Sequence, residues 1–431
     1  MHVAIVGFGL EGQSAVRYWQ DMGAEVTICD LDATKQLPKD VSSQLGPDYL
    51  HGLDRFDVVM RSAGINPSII LAENPGLETK ITTVIDEFLR VCPTRNVIGI
   101  TGTKGKGTTS TLTTKMLEAA GLQVYLGGNI GVSPFDFLHQ ITPDSWVVLE
   151  LSSFQLMDIK RSPHIAMCLM IVPDHLNWHE DMEDYAEAKA QLFAHQTPQD
   201  IAIYFADNSL SHQIASHSPG KKLTYYASPG AYVNGTKIVI DNHEICDVSE
   251  LKLLGRHNWQ NACAAATAVW QVTQTPNAIR TVLTTFTGLP HRLEFVRDLD
   301  GVGYYDDSFA TVPETAVVAM EAFKQPKIMI LGGGDKGVPF DNLAKAVVEN
   351  NVKHVIAIGT TGPTITQELQ AAGYTAVTSG GTTMQEIIDA ARAVAHSGDV
   401  IVLSPGCSSF GLFSDYKDRG NQFKAVVQSL Q

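Results

Sequence analysis

Short apolar runs alternate with helical segments along the chain, and this alternation constrains the fold more than any other feature. Near the N-terminus the run HVAIVGFG precedes the helical segment EGQSAVRYWQDMG, and AEVTICD follows as a second apolar run. A chain that alternates in this way folds into parallel sheets flanked by helices. With 431 residues it is long enough for about two to three domains. We therefore predict an α/β protein made of three consecutive α/β domains.

Turn-forming residues mark two boundaries between the predicted domains. Pro93 and Asn96 interrupt the chain in VCPTRN, after the first set of strands and helices. A third set begins near GLPHRLEF and contains the apolar runs KIMILGGG, HVIAIG and DVIVLSPG. We expect a Rossmann-like domain over residues 1–93, a central P-loop ATPase-like domain over 94–288, and a Rossmann-like domain over 289–431.

The composition and charge indicate which binding partners and which cellular compartment the protein suits. A net charge of −15 argues against binding to nucleic acid or to an anionic membrane, because both need a basic face. The six cysteines show no metal-ligand spacing, which suits reduced thiols in a cytoplasm. No apolar run reaches the length of a membrane span, and no basic segment precedes the first strand. We therefore expect a cytoplasmic protein without a signal peptide and with no nucleic-acid or membrane partner. We also expect a monomer.

The first glycine-rich turn fits a nucleotide-binding fingerprint. Residues 7–12, GFGLEG, match GxGxxG between a strand and a helix, and Asp30 ends the next strand, where such sites hold a ribose. The glycines would let backbone amides approach a diphosphate at the helix N-terminus. They would equally allow a helix to pack closely on its strand without any ligand. Taken alone, the fingerprint also supports a nicotinamide-dependent oxidoreductase.

A second glycine-rich loop, ITGTKGKGTT at residues 100–109, lies between an apolar run and a helical segment, as a P-loop does. Lys106 would reach the β and γ phosphates of a nucleotide. A P-loop of the common form has a hydroxyl directly after this lysine to hold Mg²⁺, but here Gly107 stands in that place. We expect Thr108 and Thr109 to begin the helix and to supply the hydroxyl. The alternative, a glycine turn beside an unrelated lysine, leaves the order of strand, loop and helix unexplained.

Three further residues are candidates for metal and phosphate chemistry. Glu150 ends the run SWVVLE, His175 follows an apolar run in VPDHLNWHED, and Lys189 lies in the helical segment YAEAKAQLF. Ligands of α/β proteins bind at the carboxyl ends of strands, so Glu150 and His175 would face one site. Each also has a structural interpretation, as a solvated strand end, a hydrogen-bonded histidine and a surface lysine. The nearby P-loop favours the site.

A set of motifs occurs in the order found in the Mur ligases, which the sequence resembles over nearly its whole length: GTKGKGT, GGNIG, ELSSFQ, HNWQNACAA, GLPHRLE, DDSFAT, GGGDKG and LSPGCSSF. The segments GFGLEG, GLPHRLE and SPGCSSF are most similar to the members that add D-glutamate. The resemblance implies an ATP-dependent ligase that joins D-glutamate to UDP-N-acetylmuramoyl-L-alanine through an acyl phosphate. Such a reaction belongs to peptidoglycan precursor synthesis, and hence to cell-wall biogenesis, cell shape and cell division.

The resemblance also implies where the cofactors bind. Asn258 and Asn261 would lie at the adenine of ATP, Arg292 at its phosphates and Asp307 at its ribose. The whole ATP site would be formed by Gly102, Thr103, Lys104, Gly105, Lys106, Gly107, Thr108, Thr109, Asn258, Asn261, Arg292 and Asp307. Two Mg²⁺ ions would be held by Thr108, Glu150, His175 and Lys189. In the family this lysine is carbamylated by CO₂, which makes it a carboxylate-like ligand. The expected catalytic residues are Lys106, Glu150, His175 and Lys189.

The two substrates are assigned to residues in the same manner. In the first domain the UDP group would be surrounded by Leu10, Glu11, Asp30, Leu31, Ser62 and Gly64. Asn129 and His175 would lie near the muramoyl group. In the third domain D-glutamate would be received by Lys336, Ser409 and Tyr416.

Several positions depart from the family pattern. Lys104 stands where asparagine is usual, Gly107 replaces a hydroxyl residue, and Phe309 stands where D-glutamate ligases often carry a lysine that contacts the amino acid. Met170 and Asn177 also differ from the usual polar residues. These departures leave two alternatives, a Mur-type ligase with a different amino-acid substrate and a nucleotide-binding regulator without catalysis.

Two pairs of residues in the third segment have a second interpretation. Ser408 and Ser409 fit the N-cap of a helix as well as a turn that receives a carboxylate, because free backbone amides serve both purposes. His291 and Arg292 fit a contact between domains as well as a phosphate contact.

Overall fold

The computed structural model describes residues 1–130, 132–176, 178–335 and 337–431. The chain divides into two compact units, one formed by Met1–Glu250 with Trp259–Thr284 and the other by Leu251–Asn258 with Thr285–Gln431. None of the helices in the described ranges is long and apolar enough to cross a lipid bilayer. The large sheets of both units are mainly parallel, as the alternating sequence pattern predicts.

The first sheet lies in the first unit and consists of parallel strands in the order β3-β2-β1-β4-β5. Its strands are β1 (His2–Val6), β2 (Glu25–Asp30), β3 (Ser42–Leu45), β4 (Val58–Arg61) and β5 (Ile81–Thr83). The connecting helices are α1 (Leu10–Asp21), α2 (Pro67–Glu73) and α3 (Val84–Val91). Helices cover this sheet, so a central strand such as AIV in β1 is apolar on both faces.

The second sheet also lies in the first unit, and its strands are parallel in the order β11-β10-β9-β6-β8-β7. Its strands are β6 (Val97–Thr101), β7 (Val124–Gly128), β8 (Trp146–Glu150), β9 (Ile165–Cys168), β10 (Ile201–Phe205) and β11 (Lys221–Tyr225). The helices are α4 (Lys106–Ala119), α5 (Pro134–Phe137), α6 (Ser153–Leu156), α7 (Met182–Ala194) and α8 (Ser209–Ser216). The buried strands β6, β8 and β9 occupy the middle and carry the candidate site at their carboxyl ends.

A small antiparallel sheet and two helices follow. The sheet consists of β12 (Tyr232–Asn234), β13 (Lys237–Ile240) and β14 (His243–Asp247), as the short β runs with intervening turns in this stretch predict. The helices are α9 (Arg256–Trp270) and α10 (Pro276–Thr285). The alanines of α9 from 262 to 268 are fully buried, which allows this helix to pack closely.

The third sheet lies in the second unit, in the order β15-β16-β20-β17-β18-β19, and all pairings except the antiparallel β15–β16 pair are parallel. Its strands are β15 (Glu294–Leu299), β16 (Val302–Asp306), β17 (Lys327–Gly332), β18 (Val352–Ile358), β19 (Val377–Ser379) and β20 (Val400–Leu403). The helices are α11 (Pro313–Glu321), α12 (Asp341–Glu349), α13 (Gly362–Ala371), α14 (Met384–Val394) and α15 (Tyr416–Ser429). The predicted α/β class is thereby confirmed, and the exact limits of the three predicted domains stay a prediction.

Two local predictions are corrected. The helix after the second glycine loop begins at Lys106, so Thr108 and Thr109 lie within its first turn instead of starting it. The N-cap interpretation of Ser408 and Ser409 is wrong, because residues 404–415 contain no helix and the next one, α15, starts at Tyr416. Ser408 forms a bridge with Gly334 instead, so the SPGCSSF segment is held by a neighbouring strand end.

Side-chain contacts join the first and second sheets within the first unit. The guanidinium of Arg61, at the end of β4, is fully buried and forms a bidentate ion pair with Asp158, just beyond α6. It also donates to the carbonyl of Phe154 at 2.9 Å and to that of Ile65 at 3.1 Å. Nearer the surface, Arg17 of α1 pairs with Asp136 of α5 at 2.7 Å. The buried arginine therefore ties the end of β4 to the α6 region.

Replacement of Arg61 by methionine should strongly destabilise the protein. The change leaves Asp158 without its cation and several carbonyls without a donor, which costs about 3 kcal/mol or more. We expect a decrease of that size in the free energy of unfolding measured by urea denaturation with tryptophan fluorescence. The matched control is Arg17→Met, since an exposed pair contributes only about 0–1 kcal/mol. Equal losses in the two variants would contradict the distinction between the buried and the exposed pair.

Candidate active site

The P-loop follows β6 and owes its shape to a close contact with α9. Gly105 is the N-cap of α4 and has a left-handed backbone, with φ 87°. A Cβ at this position would lie 2.3 Å from Oδ1 of Asn261, so a larger residue would have to displace the Asn261 side chain. Asn261 also accepts a hydrogen bond from Thr109 Oγ1 at 3.4 Å. Two residues predicted to bind ATP, Gly105 and Asn261, are therefore in direct contact.

Lys106 folds back over this loop. Its ammonium donates to the carbonyls of Gly102 and Thr103 at 3.1 and 3.0 Å. Of the two threonines in the first helical turn, Thr109 is fully buried whereas Thr108 is half-buried. Exposure thus favours Thr108 as the hydroxyl that can reach a metal ion, although that assignment stays a prediction.

Lys189 lies on α7, a helix that begins where Asp181 accepts hydrogen bonds from the amides of the first turn. Its side chain is 1% exposed, and its ammonium lies 3.1 Å from the Gly102 carbonyl and 4.5 Å from the centre of the Tyr185 ring. Burial, reinforced by the nearby Lys106 charge, lowers the pKa of Lys189 from 10.5 to about 7. The surface-lysine interpretation is therefore wrong, and a large fraction of Lys189 is a neutral amine at neutral pH.

His175 lies in the turn after β9 and adopts a left-handed backbone, with φ 56°. Its ring contacts the Phe154 ring at 4.8 Å between centres. Burial lowers the pKa of His175, and the charge of Lys106 lowers it further, against the opposing effect of Asp174. The imidazole is thus biased toward its neutral form, which is the form that binds metal ions.

Glu150 ends β8 and pairs in register with Ile100 of β6 and with Gly128 of β7. Its side chain is buried, and its Oε1 accepts a hydrogen bond from Nδ2 of Asn129 at 2.8 Å. The strand order therefore places Glu150 and Asn129 at the same sheet edge as the P-loop. The interpretation of Glu150 as a solvated strand end is wrong.

Tyr185 and Asp174 in this region were not singled out from the sequence. The Tyr185 hydroxyl is 3.0 Å from Thr103 Oγ1, and its ring lies against Lys189. Lys104, a departure from the family pattern, pairs with Asp174 at 3.3 Å. Tyr185 precedes Lys189 by four residues and so shares its helix face, a signal that the sequence does contain.

The residues predicted around UDP lie at the carboxyl edge of the first sheet. The Asp30 carboxylate accepts bonds from the Phe8 amide at 2.7 Å and from Lys35 at 3.0 Å. Burial acts to raise the pKa of Asp30, but the backbone hydrogen bonds and Lys35 lower it overall. A Cβ at Gly12 would lie 2.1 Å from the Gly7 carbonyl, so close packing alone already requires glycine there. The packing interpretation of this fingerprint therefore holds whether or not a ligand binds.

The remaining predicted UDP residues differ in what their side chains face. Leu10 and Leu31 are strongly exposed. Ser62 donates to the Gly7 carbonyl at 2.8 Å, and a Cβ at Gly64 would meet open space. The carboxylate of Glu11 is directed toward other protein groups, namely Nε2 of Gln155 at 2.6 Å and the amide of Ala63 at 3.2 Å.

In the second unit, Asp307 follows β16 and is buried. It accepts hydrogen bonds from Ser404 Oγ at 2.6 Å and from the Leu293 amide at 3.1 Å. Burial raises the pKa of Asp307 to about 7. Asn258 donates to the Leu254 carbonyl at 2.7 Å. These contacts fix both side chains within their own unit, and their predicted roles toward ATP stay predictions.

Arg292 and the aromatic residues near it form one cluster. The guanidinium carbon of Arg292 lies 3.8 Å from the centre of the Phe309 ring, a cation–π contact. Tyr416 meets Phe309 edge-on, with 5.0 Å between ring centres. His291 forms a buried pair with Asp306, with 2.7 Å between Nδ1 and the carboxylate. Phe309 is thus held between a cation and an aromatic edge.

Ser409 is buried in the segment that follows β20. Beside it, the fully buried Arg419 donates to the carbonyls of Ser408, Cys407 and Ser308 and to Ser308 Oγ. Burial lowers the pKa of Arg419 to about 10. Sequence reasoning did not identify Arg419, which joins the Ser308 and Ser409 segments. Lys336, predicted to receive D-glutamate, lies outside the described residues, as does Asn177.

Comparisons with known proteins identify the family. Residues 100–269 match the Mur ligase middle domain, and residues 291–407 match the Mur ligase, glutamate ligase domain. The UDP-N-acetylmuramoylalanine--D-glutamate ligase of Clostridium kluyveri is 35% identical over 448 residues, covering 99% of this chain and 96% of the relative. The chain belongs to the Mur ligase family. A protein with the same name from Symbiobacterium thermophilum is 36% identical, over 99% of this chain and 98% of that protein.

A solved structure agrees with the Mur ligase fold over the full chain. MurF from Acinetobacter baumannii superimposes with a TM-score of 0.65 at 16% identity, over 99% of this chain and 90% of that chain. The predicted family and the α/β architecture are thereby confirmed. The family favours a ligase over the oxidoreductase interpretation of GFGLEG, while the roles of single residues stay predictions.

The lowered pKa of Lys189 predicts a pH-dependent stability. Between pH of about 7 and 10.5 the unfolded chain holds the Lys189 proton more tightly than the folded chain, so stability from this group rises with pH. Lys189→Met, which removes the buried charge, should therefore stabilise the protein most at about pH 7 and progressively less toward pH 10. Urea denaturation in CO₂-free buffers measures this difference. Lys115→Met on the exposed side of α4 is the control, and a pH-independent effect of Lys189→Met would contradict the prediction.

Proposed function

We propose that the chain is an ATP-dependent ligase that forms an amide between UDP-N-acetylmuramoyl-L-alanine and D-glutamate, a step of peptidoglycan precursor synthesis. The observation that carries the proposal is that Lys106 and Lys189 both lie against the Gly102 carbonyl. The charges of both lysines act on the nearby His175, and Glu150 lies at the same edge of the sheet. The two full-length relatives carry the name of this activity.

The residues at this edge fit ATP and Mg²⁺. Gly105 is the N-cap of α4, and among the described residues no side chain caps the amides of its first turn, so these amides can donate to phosphate oxygens. The oxygen atoms of Glu150 and Thr108 are ligands that Mg²⁺ prefers, and the neutral imidazole of His175 can complete the set. Bound Mg²⁺ would neutralise charge on the phosphoryl oxygens during transfer.

In the proposed reaction the alanine carboxylate attacks the γ phosphorus of ATP, giving an acyl phosphate and ADP. The amine of D-glutamate then attacks the acyl carbon, and phosphate leaves as the amide forms. Lys106 would stabilise the charge on the transferring phosphate. Asn129, fixed by its bond to Glu150, would orient the muramoyl group, and Arg292 would contact ATP phosphate.

The UDP group would bind at the carboxyl edge of the first sheet. The exposed side chains of Leu10 and Leu31 offer apolar surface for a nucleobase, and the start of α1 offers amides for the diphosphate. D-glutamate would meet the Ser409 and Tyr416 region. These assignments follow the family and agree with the exposure of the leucines.

Lys189 is proposed to carry a carbamate. Its neutral amine would attack CO₂, forming an N–C bond and releasing one proton, so that a carboxylate replaces a buried cation. Burial with the Lys106 charge close by favours the neutral amine that this reaction requires. The carbamate would then act as an additional oxygen ligand for Mg²⁺.

A second candidate is a Mur-type ligase for another amino acid. The observation in its favour is Phe309, which stands where D-glutamate ligases often carry a lysine and has no charged group to offer a side-chain carboxylate. This alternative keeps the same phosphate and metal chemistry and changes only the acceptor.

The reaction predicts phosphate release that depends on both substrates. With ATP, Mg²⁺ and UDP-N-acetylmuramoyl-L-alanine, we expect release on addition of D-glutamate within a panel of amino acids. Lys106→Ala should reduce turnover by about 100-fold or more, because it removes charge stabilisation, while binding of the UDP substrate is retained. Lys115→Ala is the control. Release with a different amino acid would select the second candidate, and no release with any of them would favour the non-catalytic regulator.

The carbamate predicts chemical rescue. Lys189→Ala should lose most of its ligase activity, and formate or acetate should restore part of it by placing a carboxylate in the vacated space. The same acids should not restore Lys106→Ala, whose missing group is a cation. Full activity of Lys189→Ala without added acid would rule out the carbamate.

A further inference from the structure

The Glu11 carboxylate occupies an unexpected position for a residue in a diphosphate-binding turn. Its two oxygens accept from different elements: Oε1 from Gln155 Nε2 at 2.6 Å, and Oε2 from the Ala63 amide at 3.2 Å. Gln155 is 2% exposed and lies on α6, the helix that follows β8 of the second sheet. The carboxylate therefore bridges the loop after β4 and α6 instead of facing solvent with both oxygens.

Gln155 continues this connection toward the metal-binding edge. Its Oε1 accepts from the amide and the hydroxyl of Ser152, at 3.0 and 3.1 Å, and so forms the capping box of α6. Ser152 is two residues beyond Glu150. An unbroken chain of hydrogen bonds therefore runs from Ala63 through Glu11 and Gln155 to the segment that follows Glu150.

A second connection runs parallel to the first. Arg61 donates to the carbonyls of Ile65 and Phe154, and its ion pair with Asp158 holds the far side of α6. The Phe154 ring in turn contacts the His175 ring at 4.8 Å. Ala63 and Ile65 of the 62–65 loop are thereby both connected to α6. This helix contacts the predicted metal ligand His175 and lies just after the predicted metal ligand Glu150.

We propose that Glu11 and Gln155 are positioning residues that hold the 62–65 loop in fixed register with the Glu150 segment. The inference rests on the proposed function and on the family resemblance, which places Ser62 and Gly64 at the UDP group. Binding of the nucleotide sugar then sets the position of its alanine carboxylate relative to the phosphate and metal groups. Glu11 acts through Gln155 and Ala63 and does not itself contact UDP.

The hydrogen-bond pattern allows a reciprocal exchange as the test. Gln155→Glu alone places two carboxylates against each other where one hydrogen bond now lies. In Glu11→Gln/Gln155→Glu every bond can be kept: the amide introduced at position 11 accepts from Ala63 and donates to position 155. The carboxylate introduced at position 155 still accepts from Ser152. Rescue by the double variant is thus specific to the contact.

Hydrogen exchange of the wild type and the two variants measures the contact directly. Gln155→Glu should lose protection at residues 62–65 and 152–156, and the double variant should regain it. Gln191→Glu is the control, since Gln191 donates to Glu187 at 2.8 Å on the exposed face of α7. Unchanged protection in Gln155→Glu would overturn the proposal.

Ligase kinetics measure the consequence for function. Gln155→Glu should raise the KM for UDP-N-acetylmuramoyl-L-alanine about tenfold, leave the KM for ATP within about twofold, and recover in the double variant. A double variant that regains protection but not the KM would overturn the proposal, because Glu11 would then contact the substrate itself. If the wild type lacks ligase activity, the proposed function fails, and hydrogen exchange still decides whether the contact positions the loop.

Discussion

Two lysine ammonium groups share the carbonyl of Gly102, and the chemistry of the first unit depends on this arrangement. Lys106 and Lys189 each lie 3.1 Å from that oxygen, one at the start of α4 and the other on α7. Burial of Lys189 disfavours its charged form and lowers its pKa to about 7, and the neighbouring charge of Lys106 adds to this effect. Burial beside the P-loop thus favours the neutral amine that the proposed carbamylation of Lys189 requires.

Much of the fold could be predicted from the sequence because the signals are local. Apolar runs that end in glycine turns predict parallel strands, and ITGTKGKGTT before a helical segment predicts the phosphate loop at the end of β6. The partners of single side chains could not be predicted in this way. Glu11 and Gln155 are 144 residues apart, and Arg61 and Asp158 are 97 apart, so only the folded sheets bring them together. The place of Glu11 in the fingerprint predicts a contact with UDP, and that prediction gives no sign of the bond to Gln155.

In the second unit, too, the partners of buried charged side chains could not be predicted from the sequence. Arg419 lies in a helical sequence that would suit an exposed arginine, yet it is fully buried and donates to four acceptors in two segments. Its bonds are made mainly to backbone carbonyls, which carry no sequence signature. The His291–Asp306 pair is likewise buried, and its histidine precedes Arg292 in the chain. Predicted ligand residues such as Ser409 and Asp307 therefore depend on neighbours that motif matching does not reveal.

The electrostatics of the P-loop edge also constrain the form of Lys189 that is compatible with metal binding. Glu150 supplies one carboxylate there, already shared with Asn129, while Lys104, Lys106 and a protonated Lys189 would together supply three positive charges. Lys104 is largely offset by Asp174, and Lys106 would be offset by phosphate. A protonated Lys189 has no such counter-charge among its described contacts, which are Thr101, the Gly102 carbonyl and the Tyr185 ring. In the proposed ligase, a divalent cation beside Lys189 would be favoured only when Lys189 is neutral or negatively charged, and a carbamate would meet that condition and add an oxygen ligand.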